Sequence, residues 1–201
     1  MANANRPTGL SPVQNLIGSP YNGQARQYSI AAAYATALYI GDPVISSGTS
    51  DAAGVQGIAL AAATGPIRGV IVGLSDQPFQ SGAIVGNPNI TYRPAAAQST
   101  VWYAMVVDDP NVIFEVQEHS NGTALAAADI GLNQVLYLAA GNGYVSGWML
   151  ASATDATPAV TATLQVRLLG LAQRADNAFG AYAKHLVLIN AHELRVGQVG
   201  L

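Results

Sequence analysis

The sequence predicts a mainly β fold: a compact antiparallel β-barrel or sandwich with an extended N-terminal arm and little helix. Short apolar segments rich in β-branched and aromatic residues recur along the chain, bounded by Gly, Pro, Asn or Asp. Long amphipathic helical patterns are lacking. With 201 residues, the chain is long enough to bury a sizeable core in a single domain.

Residues 1–27 are interpreted as the arm, and residues 28–201 as one β-rich domain. The arm contains Pro7, Pro12 and Pro20 among many polar residues, and proline removes backbone donors and favours extended geometry. It also carries spaced apolar residues, which a purely flexible tail usually lacks. We expect these residues either to dock on a neighbouring subunit or to fold back on their own domain. The candidate interface residues are Leu10, Val13, Leu16, Ile17 and Tyr21.

The domain is expected to consist of strands of about four to eight residues, each ending at turn-forming residues. We expect these strands in residues 25–31, 38–46, 55–62, 67–74, 83–87, 90–94, 100–107, 112–118, 134–139, 144–151, 162–172 and 184–191. Helix is expected only in Thr123–Leu132 and, more weakly, in Ala172–Ala183.

Two turns are expected to join neighbouring strands as hairpins. Asn142-Gly143 lies between two apolar segments, and this dipeptide favours a type I′ turn. In Asp109-Pro110-Asn111-Val112, Asp and Pro occupy the positions that a type I turn prefers. The adjacent Asp108 and Asp109 are therefore interpreted as a solvated turn rather than a catalytic pair, which would need two converging side chains.

Only 9% of the residues are charged, against about 25% in a typical soluble domain. Such a composition fits either a membrane protein or a protein whose surface is covered by other protein. Polar residues interrupt the longest uncharged stretch, residues 130–154, and residues 1–12 have no apolar core of a signal peptide. We therefore expect no membrane location and a surface covered by protein partners.

The remaining composition argues against several functions. The net charge is −3, and the eight basic residues are scattered along the sequence, so we expect no nucleic-acid partner. Three histidines and no cysteine make a metal site improbable on composition, and no nucleophile or cofactor motif is present. We expect no enzymatic activity, no cofactor and no small-molecule substrate. A cleft formed by His119, Asp108 and Asp109 would favour an enzyme instead.

Three segments resemble structural head proteins of short-tailed bacteriophages, specifically the cement, or decoration, proteins of the capsid. They are MANANRPTGLSPV with SPYNGQAR, VWYAMVVDDPNVIFEVQE, and NAFGAYAKHLVLIN. The resemblance implies a β-rich protein, of jelly-roll or tulip-like fold, that binds between major capsid subunits on the outside of the head. It also implies self-association, with a homotrimer favoured and a dimer as the alternative.

From this resemblance and the low charge we expect a structural virion protein, made in the host cytoplasm and located on the outer surface of the capsid. Its partners would be the major capsid protein and further copies of itself. Two alternatives stay open: another virion component, such as a tail or fibre part or a coat subunit, and a hydrolase acting on the cell wall. A coat subunit usually needs a long helix and a fibre usually shows repeats.

Overall fold

A computed structural model describes residues 3–78 and 89–195. It contains fourteen strands within these ranges: β1 Ser11–Asn15, β2 Arg26–Ile30, β3 Leu38–Tyr39, β4 Pro43–Ser50, β5 Gln56–Leu60, β6 Gly69–Ser75, β7 Tyr92–Arg93, β8 Trp102–Val107, β9 Val112–Gln117, β10 Asn133–Gln134, β11 Leu136–Tyr137, β12 Met149–Leu150, β13 Val166–Leu171 and β14 Lys184–Ile189. One 3-10 turn, Ala127–Asp129, interrupts this pattern.

The mainly β fold with little helix is confirmed. Of the expected helix Thr123–Leu132, only the 3-10 turn forms, and Ala172–Ala183 is irregular. Both segments are too short to be stable helices without a packed apolar face, since helix nucleation is costly. The strand expected at residues 83–87 lies outside the described residues.

Five strands close a barrel in the order β2-β5-β4-β6-β8. Its interior is filled by side chains that alternate along these strands, among them Ile30, Val44, Ile58, Ile71 and Val106. One pair departs from the expected antiparallel arrangement, because β2 and β5 run parallel where Ser29 faces Gly57. The two-stranded sheet of β3 and β7 is formed by residues that lie between β2 and β8 in the sequence.

A second unit is a five-stranded antiparallel sheet in the order β1-β9-β14-β13-β10. A separate apolar core covers it, in which Phe114, Trp148, Leu168 and Val187 are buried. The barrel and the sheet are joined through backbone hydrogen bonds of Ile67, whose N–H donates to the Ala191 carbonyl at 2.8 Å. The fold therefore has two apolar cores in one chain.

The predicted hairpin around Asp109 is wrong, although the turn itself exists. The Val112 N–H donates to the Asp109 carbonyl at 3.2 Å, as in a β-turn. However, β8 pairs with β2 and β6 in the barrel, whereas β9 pairs with β1 and β14 in the sheet. The turn carries the chain from one unit to the other, so Trp102 and Phe114 pack in different cores.

The hairpin expected at Asn142-Gly143 is present in a longer form. Strands β11 and β12 pair antiparallel, but each has only two residues and residues 138–148 connect them. Within this loop the Asn142 side chain accepts hydrogen bonds from the N–H groups of Tyr144 and Val145, and Gly143 has a φ of 91°. The dipeptide thus fixes the tip of a wide loop rather than a two-residue turn.

The N-terminal arm is part of the sheet. Strand β1 pairs with β9, with Ser11 opposite Glu115 and Asn15 opposite Val112. The proposed boundary at residue 27 falls inside β2, which already belongs to the barrel. Of the two expectations for the arm, the structure shows it folded back on its own chain, because its backbone donors and acceptors complete an edge of the sheet.

Candidate functional site

The five arm residues predicted to form an interface fall into two groups. Leu10 is buried in the core of the sheet, and its N–H donates to the Gly41 carbonyl at 2.9 Å. Tyr21 packs against the same core, and its hydroxyl donates to the Gln24 carbonyl. The prediction that Leu10 contacts a neighbouring subunit is therefore wrong. Leu10 is 1% exposed and packs within its own chain.

The other three arm residues, Val13, Leu16 and Ile17, form what we call the apolar tip. Leu16 is 50% exposed and Ile17 is 91% exposed. Ile17 lies in a tight turn in which the Gly18 N–H donates to the Asn15 carbonyl and the Asn15 N–H donates to the Ser19 carbonyl, both at 2.8 Å. The chain thus presents an almost fully exposed β-branched side chain on an ordered turn.

The apolar tip is held against the rest of the molecule. The Leu16 N–H donates to the Asn111 carbonyl at 2.8 Å, which joins the tip to the turn between β8 and β9. Pro20 forms an isolated bridge with Gln14, and the Tyr21 N–H donates to the Val13 carbonyl. A surface fixed in this way loses little conformational entropy when it binds a partner.

The two adjacent aspartates line the same cleft of about 370 Å³, which does not include His119, but they differ in burial and in partners. Asp108 is buried; it accepts a hydrogen bond from the Tyr28 hydroxyl at 2.6 Å and forms an ion pair with Arg26 at 3.4 Å. Asp109 is exposed, and its Oδ1 accepts a hydrogen bond from the Asn111 N–H at 2.9 Å. The prediction that both are solvated is thus wrong for Asp108, which lies beneath the barrel-to-sheet turn.

His119 lies apart from both aspartates. Its Nδ1 is 2.8 Å from Oδ2 of Asp155, and its ring stacks on Tyr137 with centroids 3.7 Å apart. Partial burial opposes ionisation of Asp155, but hydrogen bonds from Asn121, His119 and Ser152 lower its pKa to about 2. The Ser152 hydroxyl donates to Asp155 rather than to His119. A histidine that activates a serine is therefore not assembled here.

The other two histidines are buried in structural contacts. His185 Nε2 is 3.0 Å from Oε2 of Glu118, and both side chains are fully buried. The Nδ1 of His192 accepts a hydrogen bond from the Leu194 N–H at 3.0 Å. Among residues 3–78 and 89–195, no group of three or more His, Asp or Glu side chains could hold a metal ion.

Some of the basic residues that are scattered along the sequence lie close together in the folded chain. Arg6, Arg174 and Lys184 line one cleft of about 290 Å³ between the arm and the segment that connects β13 to β14. We call it the arm cleft. Sequence reasoning missed it because Arg6 is more than 160 residues from the other two in the sequence, and only the pairing of the arm with the sheet brings them together.

Comparisons with known protein families, with curated proteins and with solved structures give no match. In the part of the chain that the structure describes, there is no helix of the length and apolarity that a membrane crossing requires.

Proposed function

We propose that this chain is a capsid decoration, or cement, protein that binds the outer surface of a bacteriophage head and stabilises contacts between major capsid subunits. Its partners in this proposal are the major capsid protein and further copies of itself, with a homotrimer favoured. The resemblance of three sequence segments to such proteins supports the proposal, together with the low content of charged residues.

The observation that carries the proposal is the apolar tip. Ile17 is 91% exposed on a turn fixed by backbone hydrogen bonds, although the chain buries other Ile and Val side chains in two cores. Isolated exposed apolar residues are common on proteins. Here the adjacent Leu16 and Ile17 are both exposed directly after β1, in which Val13 is also exposed, and neighbouring exposed apolar side chains of this kind suit a protein interface.

The energetics of such a contact suit a repeated assembly. Complete burial of one Leu or Ile side chain stabilises a complex by roughly 1.5–3 kcal/mol. Association costs offset much of the gain from a single copy. Copies that bind a shell and each other at the same time raise the effective concentration of every further contact, so modest individual contacts can hold a stable layer.

Binding of the purified protein to undecorated capsids tests the proposal. We expect co-sedimentation with the capsids and a higher temperature of capsid disruption, and an image of the decorated particle should place the protein on its outer surface. Absence of binding, or a location in the tail, would contradict the proposal. In the second case the protein would be another virion component.

The substitution Ile17→Asp tests the role of the apolar tip. We expect at least a tenfold loss of capsid affinity, which corresponds to about 1.4 kcal/mol, because a charged group would replace a buried apolar contact. Val160→Asp is the matched control, since Val160 is also an exposed apolar residue, at 50%, outside the arm. Equal losses in the two variants would remove the apolar tip from the interface.

A further inference from the structure

Several charged residues lie around the arm cleft, although only 9% of the residues in the chain are charged. Arg174 and Lys184 share one carboxylate oxygen, Oε1 of Glu115, at 3.3 and 3.7 Å. Arg174 also lies 3.7 Å from Asp176. Counted over the described residues, three cations and Asp176 line the cleft and Glu115 lies beside it, which leaves one net positive charge.

The excess charge is located on Arg6. Among the described residues, no carboxylate lies within ion-pair distance of its guanidinium. The backbone of Arg6 is nevertheless fixed, because its N–H donates to Oε1 of Gln117 at 2.6 Å. A guanidinium group offers a planar fork of donors that matches a carboxylate.

The walls of the arm cleft are held by hydrogen bonds on both sides. The Asn3 side chain donates to the carbonyls of Ala178 and Ala181 and accepts from the Ala178 N–H. Asn177 bridges the two ends of the same segment, since its amide donates to the carbonyls of Ala172 and Lys184. Hydrogen bonds thus tie this segment to the arm and join its two ends.

One residue of this wall adopts a conformation that costs energy. Tyr182 has a φ of 62°, and it is the single non-glycine residue with positive φ among those described. Such a conformation persists where the surroundings enforce it, and it is common at binding sites. The positive φ of Tyr182, the hydrogen-bonded walls and the exposed Arg6, whose guanidinium has no carboxylate partner among the described residues, occur together in this cleft.

We propose that the arm cleft binds the carboxylate of an acidic side chain on a partner protein. One net positive charge matches a singly charged carboxylate better than a phosphate, which carries more negative charge at neutral pH. The cleft volume of about 290 Å³ is ample for one acidic side chain. This inference does not depend on the proposed capsid function, because any acidic protein segment supplies the group.

The test is an NMR titration of the full chain with the peptide acetyl-Gly-Glu-Gly-amide. We expect saturable shifts of the backbone amides of Asn3, Arg6 and Lys184, with a dissociation constant on the order of 1 mM. The peptide acetyl-Gly-Gln-Gly-amide, which lacks the charge, should produce no saturable shift. Equal responses to the two peptides would overturn the proposal, and so would tighter binding of inorganic phosphate, which would indicate a site for free oxyanions.

Two variants locate the binding. Arg6→Gln keeps the backbone contact with Gln117 and should weaken peptide binding about tenfold, the loss expected for one charge-assisted contact. Lys184→Gln should weaken it as well, and it provides a second test if either variant is unstable. Arg26→Gln is the control, because Arg26 is an arginine on β2, which belongs to the barrel, and pairs with Asp108. An equal loss in the control would show non-specific attraction and overturn the site.

Discussion

Asp42 is a buried carboxyl group directly before β4. Its side chain is 2% exposed, and its Oδ2 accepts a hydrogen bond from the Tyr39 N–H at 2.8 Å. Burial raises its pKa to about 6, although hydrogen bonds from Ser146 and Tyr39 act in the opposite direction. Between pH 3.8 and about 6, the Asp42 carboxyl group is therefore protonated in the folded protein and ionised in the unfolded chain.

His192 shows the opposite behaviour. Burial is the main cause that lowers its pKa to about 4, and the nearby Arg195 and Arg68 add to the effect, while Asp108 and Asp109 oppose it. Asp42 contributes stability below pH 3.8 that is lost as the pH rises through about 6. His192 contributes stability above pH 6.5 that is lost as the pH falls through about 4. The two contributions oppose each other between pH 4 and 6.

Urea unfolding of two variants between pH 4 and 7 should separate these contributions. On acidification from pH 6 to pH 4, Asp42→Asn should lose roughly 2–3 kcal/mol more than the parent protein, because the stabilising proton uptake is removed. His192→Gln should lose less than the parent over the same range. Parallel stability curves for the three proteins would contradict the assignment of these pKa values.

At the residue scale, the sequence predicts which residues suit a turn but not which of them are buried. Asp109 behaves as the turn residue that its position before Pro110 predicts, whereas the adjacent Asp108 is covered and paired with Tyr28. Local turn preferences depend on a few neighbouring residues. Burial of Asp108 depends on Tyr28, which is distant in the sequence and adjacent only in the folded protein.

At the scale of elements, the pair of Glu118 and His185 ties the end of β9 to β14. Oε1 of Glu118 accepts a hydrogen bond from the Leu125 N–H at 2.7 Å, and Oε2 contacts His185. The Glu118 side chain therefore contacts buried polar groups on two different segments. Neither partner is exposed, so water cannot replace the contacts if the carboxylate is lost.

The substitution Glu118→Ala should lower the free energy of unfolding by about 3–5 kcal/mol, because it leaves His185 and the Leu125 N–H without their partner. Glu115→Ala is the matched control on the same strand. Glu115 pairs with Arg174 and Lys184 near the surface, so its loss should cost about 1 kcal/mol or less. Chemical denaturation measures both values, and similar losses would contradict the structural role of the buried pair.

Strand positions were predictable from the sequence, whereas most strand partners were not. The segments at β8 and β9 are rich in β-branched and aromatic residues, and both form strands. The strands that pair with β8 and β9 depend on which apolar faces can be buried against each other. These faces belong to segments that are distant in the sequence. A short connection between two strands favoured a hairpin, but the chain uses it to pass from the barrel to the sheet.

At the scale of the whole molecule, the arm is a structural part of the fold. Deletion of residues 1–25 would remove β1 from the edge of the sheet and Leu10 from its core. We expect a fall in the melting temperature and loss of near-ultraviolet circular dichroism from the sheet core, measured beside Ile17→Asp as a control that retains both. An unchanged melting temperature after the deletion would show that β1 contributes little to stability.

The fold class and the scarcity of charge were both evident in the sequence, and they concern the molecule as a whole. The apolar tip was predicted in part, since Val13, Leu16 and Ile17 were recognised as apolar residues in a polar arm. The arm cleft could not be predicted in this way. Its cations come from the arm and from the segment around β13 and β14, and no local pattern indicates that these segments meet.

The order of the strands also has a consequence for synthesis of the protein. The barrel uses only residues 26–107, so it can close once this segment has left the ribosome. Strand β1 is made first, yet its partner β9 begins at Val112. During this interval the arm is an unpaired strand, and Pro7, Pro12 and Pro20 limit its ability to pair with other nascent chains.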